Sequence, residues 1–385
     1  MINPFRHLIP LKKGPLNSLY LTHSILHFGL GMMGIFVPIY IFQLTGNFLY
    51  LPAFYGTASV AALVSLLFGS GIVARLGAHR SVLLANFFRV LNLSMLLLAP
   101  RFPPLIFASA AFEGLVVVTY WVTYHAVFTV SGRGGNYGRE IAWMGIFISV
   151  MAALAPLFGG LVVSGLGFPA LYGLGMLIIL LSSIPIFKME DHLGFRRIPA
   201  GEIMQETLAP SWRPMLVGFL GNRLEIIFAT VFWPLFAFGI LKSFTGLGAI
   251  ASVFTVFGVF FMIAAGQAVD TLGRRRVLPV SVLLLTPFWL ATGFVSSGLI
   301  LAILNGYRGA VAPFYSISVE ALFYRLARKD PFLSILKREV GIHLSILFAV
   351  VLTAVLWLLF PENWPVLFLP AALGMVLSIS FVRAR

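Results

Sequence analysis

The sequence predicts an all-α integral membrane protein: twelve transmembrane helices in two pseudo-symmetric six-helix bundles. Three observations predict it. The 385-residue chain is 60% hydrophobic and only 10% charged, against about 25% charged in a soluble domain. It divides into twelve apolar runs, each near the ~20 residues that a helix needs to cross a bilayer. Short patterns in its first half recur about 196 residues later.

Composition comes first. A chain this long, with a mean hydropathy of +1.00, lacks the polar surface to cover a soluble core. Gly, Pro and charged residues cut it into runs near 16–44, 50–74, 80–99, 104–130, 140–164 and 168–188, then 212–241, 246–270, 276–296, 298–326, 340–360 and 363–382. The first run is far longer than the roughly 7–15 apolar residues of a cleaved signal peptide, so it is read as span one. The longest polar connector, KMEDHLGFRRIPAGEIMQETLAPSWR, joins spans six and seven. The bundles therefore fall at 1–188 and 212–385, with a cytoplasmic linker at 189–211.

Charge sets orientation. The formal net charge is +14, but the basic residues sit in connectors between apolar runs. They face anionic lipid headgroups; no nucleic-acid partner is expected. Arg6, Lys12, Arg75, Arg80, Arg133, Arg139, Arg196, Arg274, Arg328 and Arg383 fall on one side, while Arg101 and Lys242 fall on the other. The basic side is cytoplasmic by the positive-inside rule, so both termini are expected in the cytoplasm of a multi-pass cell-membrane protein. The chain has no cysteine, which excludes disulfides and thiolate chemistry. No metal and no cofactor are expected, and a monomer is.

The halves repeat. SGIVARLGAHRSVLL (70–84) falls on GQAVDTLGRRRVLPV (266–280), with Gly77 on Gly273 and Arg80 on Arg276. The same offset puts Pro38 on Pro234. An offset of 195 puts Gly114 on Gly309 and Tyr120 on Tyr315, and one of 199 puts Arg139-Glu140 on Arg338-Glu339. Parallel repeats of this kind are one of the symmetries of secondary transporters.

With these residues in view, the chain resembles the major facilitator superfamily. GQAVDTLGRRR fits that superfamily's G-x-x-x-D-x-x-G-R-R loop in full. The first-half copy departs from it, with Ser70 for the leading Gly, Ala74 for Asp, and Ala78-His79 for the Arg pair. APLFGG, Ala155 to Gly160, is similar to the G-P-x-x-G-G of the superfamily's drug/proton antiporters. The resemblance implies alternating access, a central cavity walled by spans one, four, seven and ten, and a cytoplasmic latch. Arg75, Gly77, Arg80, Arg139, Pro156, Asp270, Gly273, Arg274 and Arg275 are the gating candidates.

Ionisable side chains inside hydrocarbon are costly and mark function. His23 and His27 lie in span one, Arg89 in span three, Glu113 in span four, Arg223 and Glu225 in span seven, and Arg308 in span ten. The substrate-binding candidates are His27, Glu113, Tyr120, Trp121, Tyr124, Arg223, Arg308 and Tyr315. His23, His27, Glu113 and Glu225 are the proton-coupling candidates, since imidazole and carboxyl groups exchange protons. An ion pair between Arg89 and Glu113 is the structural alternative. His125 and Glu320 are read as gate or support residues. The fixed charges of the set sum slightly positive, which favours an anionic or zwitterionic amphiphile.

The leading expectation is a secondary transporter that exports a small amphipathic solute in exchange for protons. Uptake or exchange of an organic anion is the alternative. A lipid-modifying membrane enzyme and a non-transporting sensor are the alternatives of another class. The sequence lacks both G-x-x-x-x-G-K-[ST] and H-E-x-x-H, so neither ATP-driven pumping nor zinc hydrolysis is expected. Asp270 opposes the dipole at the end of span eight unless a cation partners it. If it latches the gate, Asp270→Asn shifts the inward/outward balance. Unchanged transport together with an unchanged balance removes the latch.

Overall fold

The computed structural model describes residues 15–131, 153–188, 195–327 and 329–384; for 15–20, 128–131 and 188 it describes the backbone alone. Nine helical stretches among these residues are long and apolar enough to cross a membrane. Two of them hold two spans each. Ala155–Phe187 breaks at Gly167, and Phe244–Thr292 breaks at Gly273, both at positive φ. Gly298–Ala327, 30 residues, is long enough to cross but less apolar than those nine, and it takes the place of span ten. Twelve helical segments result, the fifth described from its later part onward. The surface is apolar, with Phe260 77% and Phe294 76% exposed. Such side chains suit lipid rather than water.

The boundaries differ from the sequence reading where glycine intervenes. Span two runs as Tyr50–Phe68, and the next helix, Ser70–Leu98, is broken at Gly77. Ser70 to Leu76 thus completes span two, and span three begins after Gly77. Span eleven begins at Pro331, earlier than expected. There the Asp330 carboxylate accepts from the Leu333 amide at 3.1 Å, and Pro331 occupies the first turn, where it needs no amide donor.

The repeat is visible in the backbone. Six described residues have positive φ, and they pair across the halves. Gly46 (+63°) matches Lys242 (+48°), Gly77 (+73°) matches Gly273 (+86°), and Gly167 (+78°) matches Glu362 (+58°). Spans one and seven share a further irregularity. Span one is Pro15–Gly34 followed by Val37–Thr45. Span seven is Arg213–Ile227, a π turn Phe228–Phe232, then Trp233–Leu241. Pro38 and Pro234 each open the second piece.

Glycine governs the packing inside and between the halves. A Cβ on Gly114 would strike the Ala58 carbonyl, and one on Gly309 would strike the Phe254 carbonyl. These are repeat-equivalent contacts of span four on two and span ten on eight. Between the halves, Gly248 lies on the Pro156 carbonyl and Gly160 on the Phe244 carbonyl. The Leu157 amide also donates to Ser252 Oγ at 3.2 Å. The APLFGG run is therefore the packing seam of span five on span eight.

Lys242 holds a left-handed conformation that costs an ordinary residue roughly 1–2 kcal/mol. Lys242→Gly is expected to raise stability in detergent by about 1 kcal/mol. Gly46→Ala is expected to lower it by about as much, through the backbone alone, because a Cβ there meets nothing within 4 Å. Thermal unfolding of both variants checks the pair.

Candidate functional site

In the first half, span one presents His23 and His27 to span four. His23 Nδ1 is hydrogen-bonded to the Tyr120 hydroxyl at 2.5 Å, and its ring stacks on Tyr124 with centroids 4.0 Å apart. His27 tilts against His23 at 4.2 Å and meets Trp121 edge-on at 6.1 Å. Arg89, buried, lies 4.1 Å above the Tyr120 ring and donates to Asn86 Oδ1 at 2.9 Å. Asn86 in turn donates to Ser183 at 2.8 Å.

The expected Arg89–Glu113 ion pair is not formed. Its guanidinium is taken by the Tyr120 ring and by Asn86. Glu113 instead accepts from Asn92 Nδ2 at 3.3 Å, and the residue is exposed.

In the second half, Arg308 Nη2 donates to Glu225 Oε1 at 2.6 Å. Phe254, Trp289 and Phe288 surround that guanidinium at 4.8, 5.1 and 5.5 Å. Tyr315 accepts from Asn222 at 3.2 Å. These three candidates hold spans seven and ten together.

A cavity of about 430 Å³ lies between the halves. Its walls come from spans two and four on one side and from seven, ten and eleven on the other. Of the substrate-binding candidates it brings together Glu113, Trp121 and Arg223; His27, Tyr120, Tyr124, Arg308 and Tyr315 do not line it. His125 and Glu320 do. Sequence reasoning missed Tyr55, Ser59, Arg338, Glu339 and His343 as lining residues. The signal for Arg338 was present in Lys329-Asp330-Pro331, an N-cap followed by a first-turn proline. It starts the helix early enough to carry Arg338 inward.

The cavity is ionic, and both halves hold it. Arg338 donates to both oxygens of Glu320, at 2.9 and 2.6 Å, and its Nε lies 3.7 Å from Glu339 Oε1. His125 Nδ1 is hydrogen-bonded to the Tyr324 hydroxyl across the halves at 2.5 Å. His343 Nδ1 reaches Ser59 Oγ at 3.4 Å, again across the halves. Among the described residues Arg223 has no carboxylate within 4 Å, and its Nε is buried without a hydrogen-bond partner. The expected positive balance is thereby corrected. Arg89 and Arg308 are occupied elsewhere, and the lining carries Glu113, Glu320 and Glu339 against Arg223 and Arg338.

The gating candidates spread over the basic face. Asp270 lies in the π turn Val269–Gly273, and Arg275 Nη2 donates to the Ala384 carbonyl at 2.9 Å. Arg75 and Arg80 are exposed and Arg274 is half-buried. Pro156 is in the seam of span five on span eight. Arg139 and Arg133 lie outside the described residues.

Solved structures share this fold. The nucleoside transporter NupG superposes with a TM-score of 0.67 over 97% of this chain and 99% of its own, at 13% identity. The major facilitator superfamily transporter FucP, in its outward conformation, gives 0.68 over 96% and 98%, at 15% identity. A bacterial homologue of the iron transporter ferroportin, in its outward-facing state, gives 0.69 over 97% and 99%, at 11% identity. The fold is that of the major facilitator superfamily. No sequence-family description and no curated protein matches the chain. The likeness therefore establishes the fold and leaves the chemistry of the site to this chain's own residues.

Breaking a buried ion pair costs about 3–5 kcal/mol, whereas replacing both partners by apolar groups is often close to neutral. Glu225→Leu alone is expected to destabilise by that amount. Glu225→Leu with Arg308→Met is expected to cost less than Glu225→Leu alone. A double-mutant cycle on thermal unfolding decides it.

Proposed function

We propose that the chain is a secondary transporter that moves a small polar organic solute by alternating access. The observation that carries the reading is the ionic cavity of about 430 Å³ walled by both halves. A site formed by two bodies is exposed to one face or the other as they rock, without being rebuilt. Contacts that such rocking would break lie toward both ends. At one end Phe48 stacks on Trp357 with centroids 3.8 Å apart, and Ser164 meets Thr245 at 3.0 Å. Toward the basic face His125 meets Tyr324.

Protons are the coupling ion in this reading, because Glu113, Glu339, His125 and His343 line the cavity and can exchange them. The Ala155–Gly160 run, similar to that of drug/proton antiporters, supports export against a proton entering. Symport is the second reading, favoured by the likeness to the E. coli fucose:proton symporter at a TM-score of 0.69 and 14% identity.

The chain has no native cysteine, so one introduced thiol reports alone. Ser59→Cys, on the cavity wall, is expected to react with a membrane-impermeant thiol reagent from either face of oriented vesicles. Labelling from one face only would overturn alternating access and leave the sensor or enzyme alternatives. In proteoliposomes, solute-dependent proton movement opposite to the solute identifies export, and movement alongside it identifies symport.

A further inference from the structure

We propose that this cavity takes a small zwitterion with an apolar body, its anionic group on Arg223 and its cationic group on Glu113. The inference rests on the reading of the cavity as the transport site and adds the class of solute.

The charges divide into engaged and unengaged. Arg338 is shared between Glu320 and Glu339. His125 and His343 each make a hydrogen bond across the halves. Two lining groups have no opposite charge within 4 Å among the described residues, Glu113 on the first-half wall and Arg223 on the second-half wall. Each has spare bonding capacity. The Arg223 guanidinium, unlike those of Arg308 and Arg338, has no carboxylate partner among those residues. The side-chain donor to Glu113 is a neutral amide, Asn92 Nδ2, and Glu113 is exposed beside the cavity.

A ligand that fills the cavity takes both groups out of water, and a desolvated charge without a partner is costly, so the ligand has to satisfy both. A simple anion would bond Arg223 but leave Glu113 bare, in a lining that already has three carboxylates to two guanidiniums. A simple cation would bond Glu113 but leave the Arg223 guanidinium without an anion. A zwitterion completes both. Val117, Trp121, Ile342 and Ile346 supply apolar wall for the rest of the molecule. The volume of about 430 Å³ sits toward the small end of ligand pockets, which run from about 300 to 1,000 Å³. It suits a solute of amino-acid size. Closing the halves on such a solute joins the two walls through its own charges, so the loaded site is what favours closure.

The test uses nine probes on the purified full chain, read as ligand-induced shifts in unfolding temperature. They are leucine, isoamylamine and 4-methylpentanoate; phenylalanine, phenethylamine and 3-phenylpropionate; tryptophan, tryptamine and indole-3-propionate. Each set keeps one body and varies only its charge. For at least one body the zwitterion is expected to half-saturate at a concentration about 10-fold or more below that of its amine or acid. Glu113→Gln is expected to erase the preference over the acid, and Arg223→Gln the preference over the amine.

The proposal is overturned if in none of the three sets the zwitterion outranks both its amine and its acid by that margin, silence of all nine included. A preference that either folded variant leaves unmoved overturns it too. Should a variant not fold, the wild-type ranking alone decides. The outcome is separable from that of the transport reading. Ser59→Cys labelled from both faces with no zwitterion response removes the solute class and keeps transport. Zwitterion binding with labelling from one face does the reverse.

Discussion

Close approach of helix backbones at glycine is the constraint on which the rest of this structure depends. Within a bilayer, apolar side chains gain nothing from leaving water, so helices associate through intimate packing of small residues. The chain uses one device repeatedly: a glycine on one span pressed against a carbonyl of the next. Gly114 on Ala58 and Gly309 on Phe254 fix the second span of each half against the fourth. Gly221 and Gly374 do so reciprocally for spans seven and twelve, each lying on the other's carbonyl. The same device at Gly160 and Gly248 joins the halves along spans five and eight. A methyl group at any of these positions would push a whole helix away.

That dry seam explains where the cavity lies. Where spans five and eight touch backbone to backbone there is no room for a ligand. The space opens instead between spans two and four and spans seven, ten and eleven, where the intervening side chains are large and ionic. The halves are also joined by the linker on the basic face. Ser70 Oγ donates to the Ile198 carbonyl at 2.9 Å, Arg196 pairs with Asp330 at 2.9 Å, and Lys337 pairs with Glu206 at 3.2 Å. The Arg196 and Glu206 ends of these pairs are about half exposed, and exposed ion pairs contribute at most about 1 kcal/mol each. They can hold the linker in place while remaining easy to exchange during movement.

The spans and the repeat were legible because both are written in local chemistry. Apolar runs, loop arginines and punctuating glycines need no tertiary information, and the pairing of Gly77 with Gly273 at positive φ follows from the shared offset alone. The directions of the ionisable side chains were not legible. Counting along an ideal helix puts Glu113, Tyr120 and Tyr124 on one stripe. The π turn Val117–Val122 starts after Glu113, contains Tyr120 and ends before Tyr124; it inserts extra backbone, which rotates the later residues of the span by up to about 100° per added residue. Glu113, ahead of the turn, faces the cavity and Trp121, within it, joins it there, while Tyr120 turns back to Arg89 and His23. The linker contacts were invisible for another reason. Ser70 and Ile198 lie more than a hundred positions apart, and no periodicity announces such a bond.

Divergence between the halves accounts for the two unengaged charges. Glu113 and Arg308 are repeat equivalents, and so are Gly29 and Glu225. In the second half the position facing Arg308 is an acid, and a buried ion pair closes. In the first half the same position is Gly29, packed on Ile178, and it offers Glu113 nothing. The carboxylate is left to face the cavity. Two positions earlier in sequence register, Arg223 is the equivalent of His27. His27 folds into the aromatic cluster with His23 and Trp121, whereas the longer, permanently charged Arg223 reaches the cavity wall. A duplicated unit with identical charges would have neutralised itself in both halves or in neither. Unequal substitution at two equivalent pairs leaves one acid on the first wall and one base on the second, which is the polarity that a ligand bridging the halves requires.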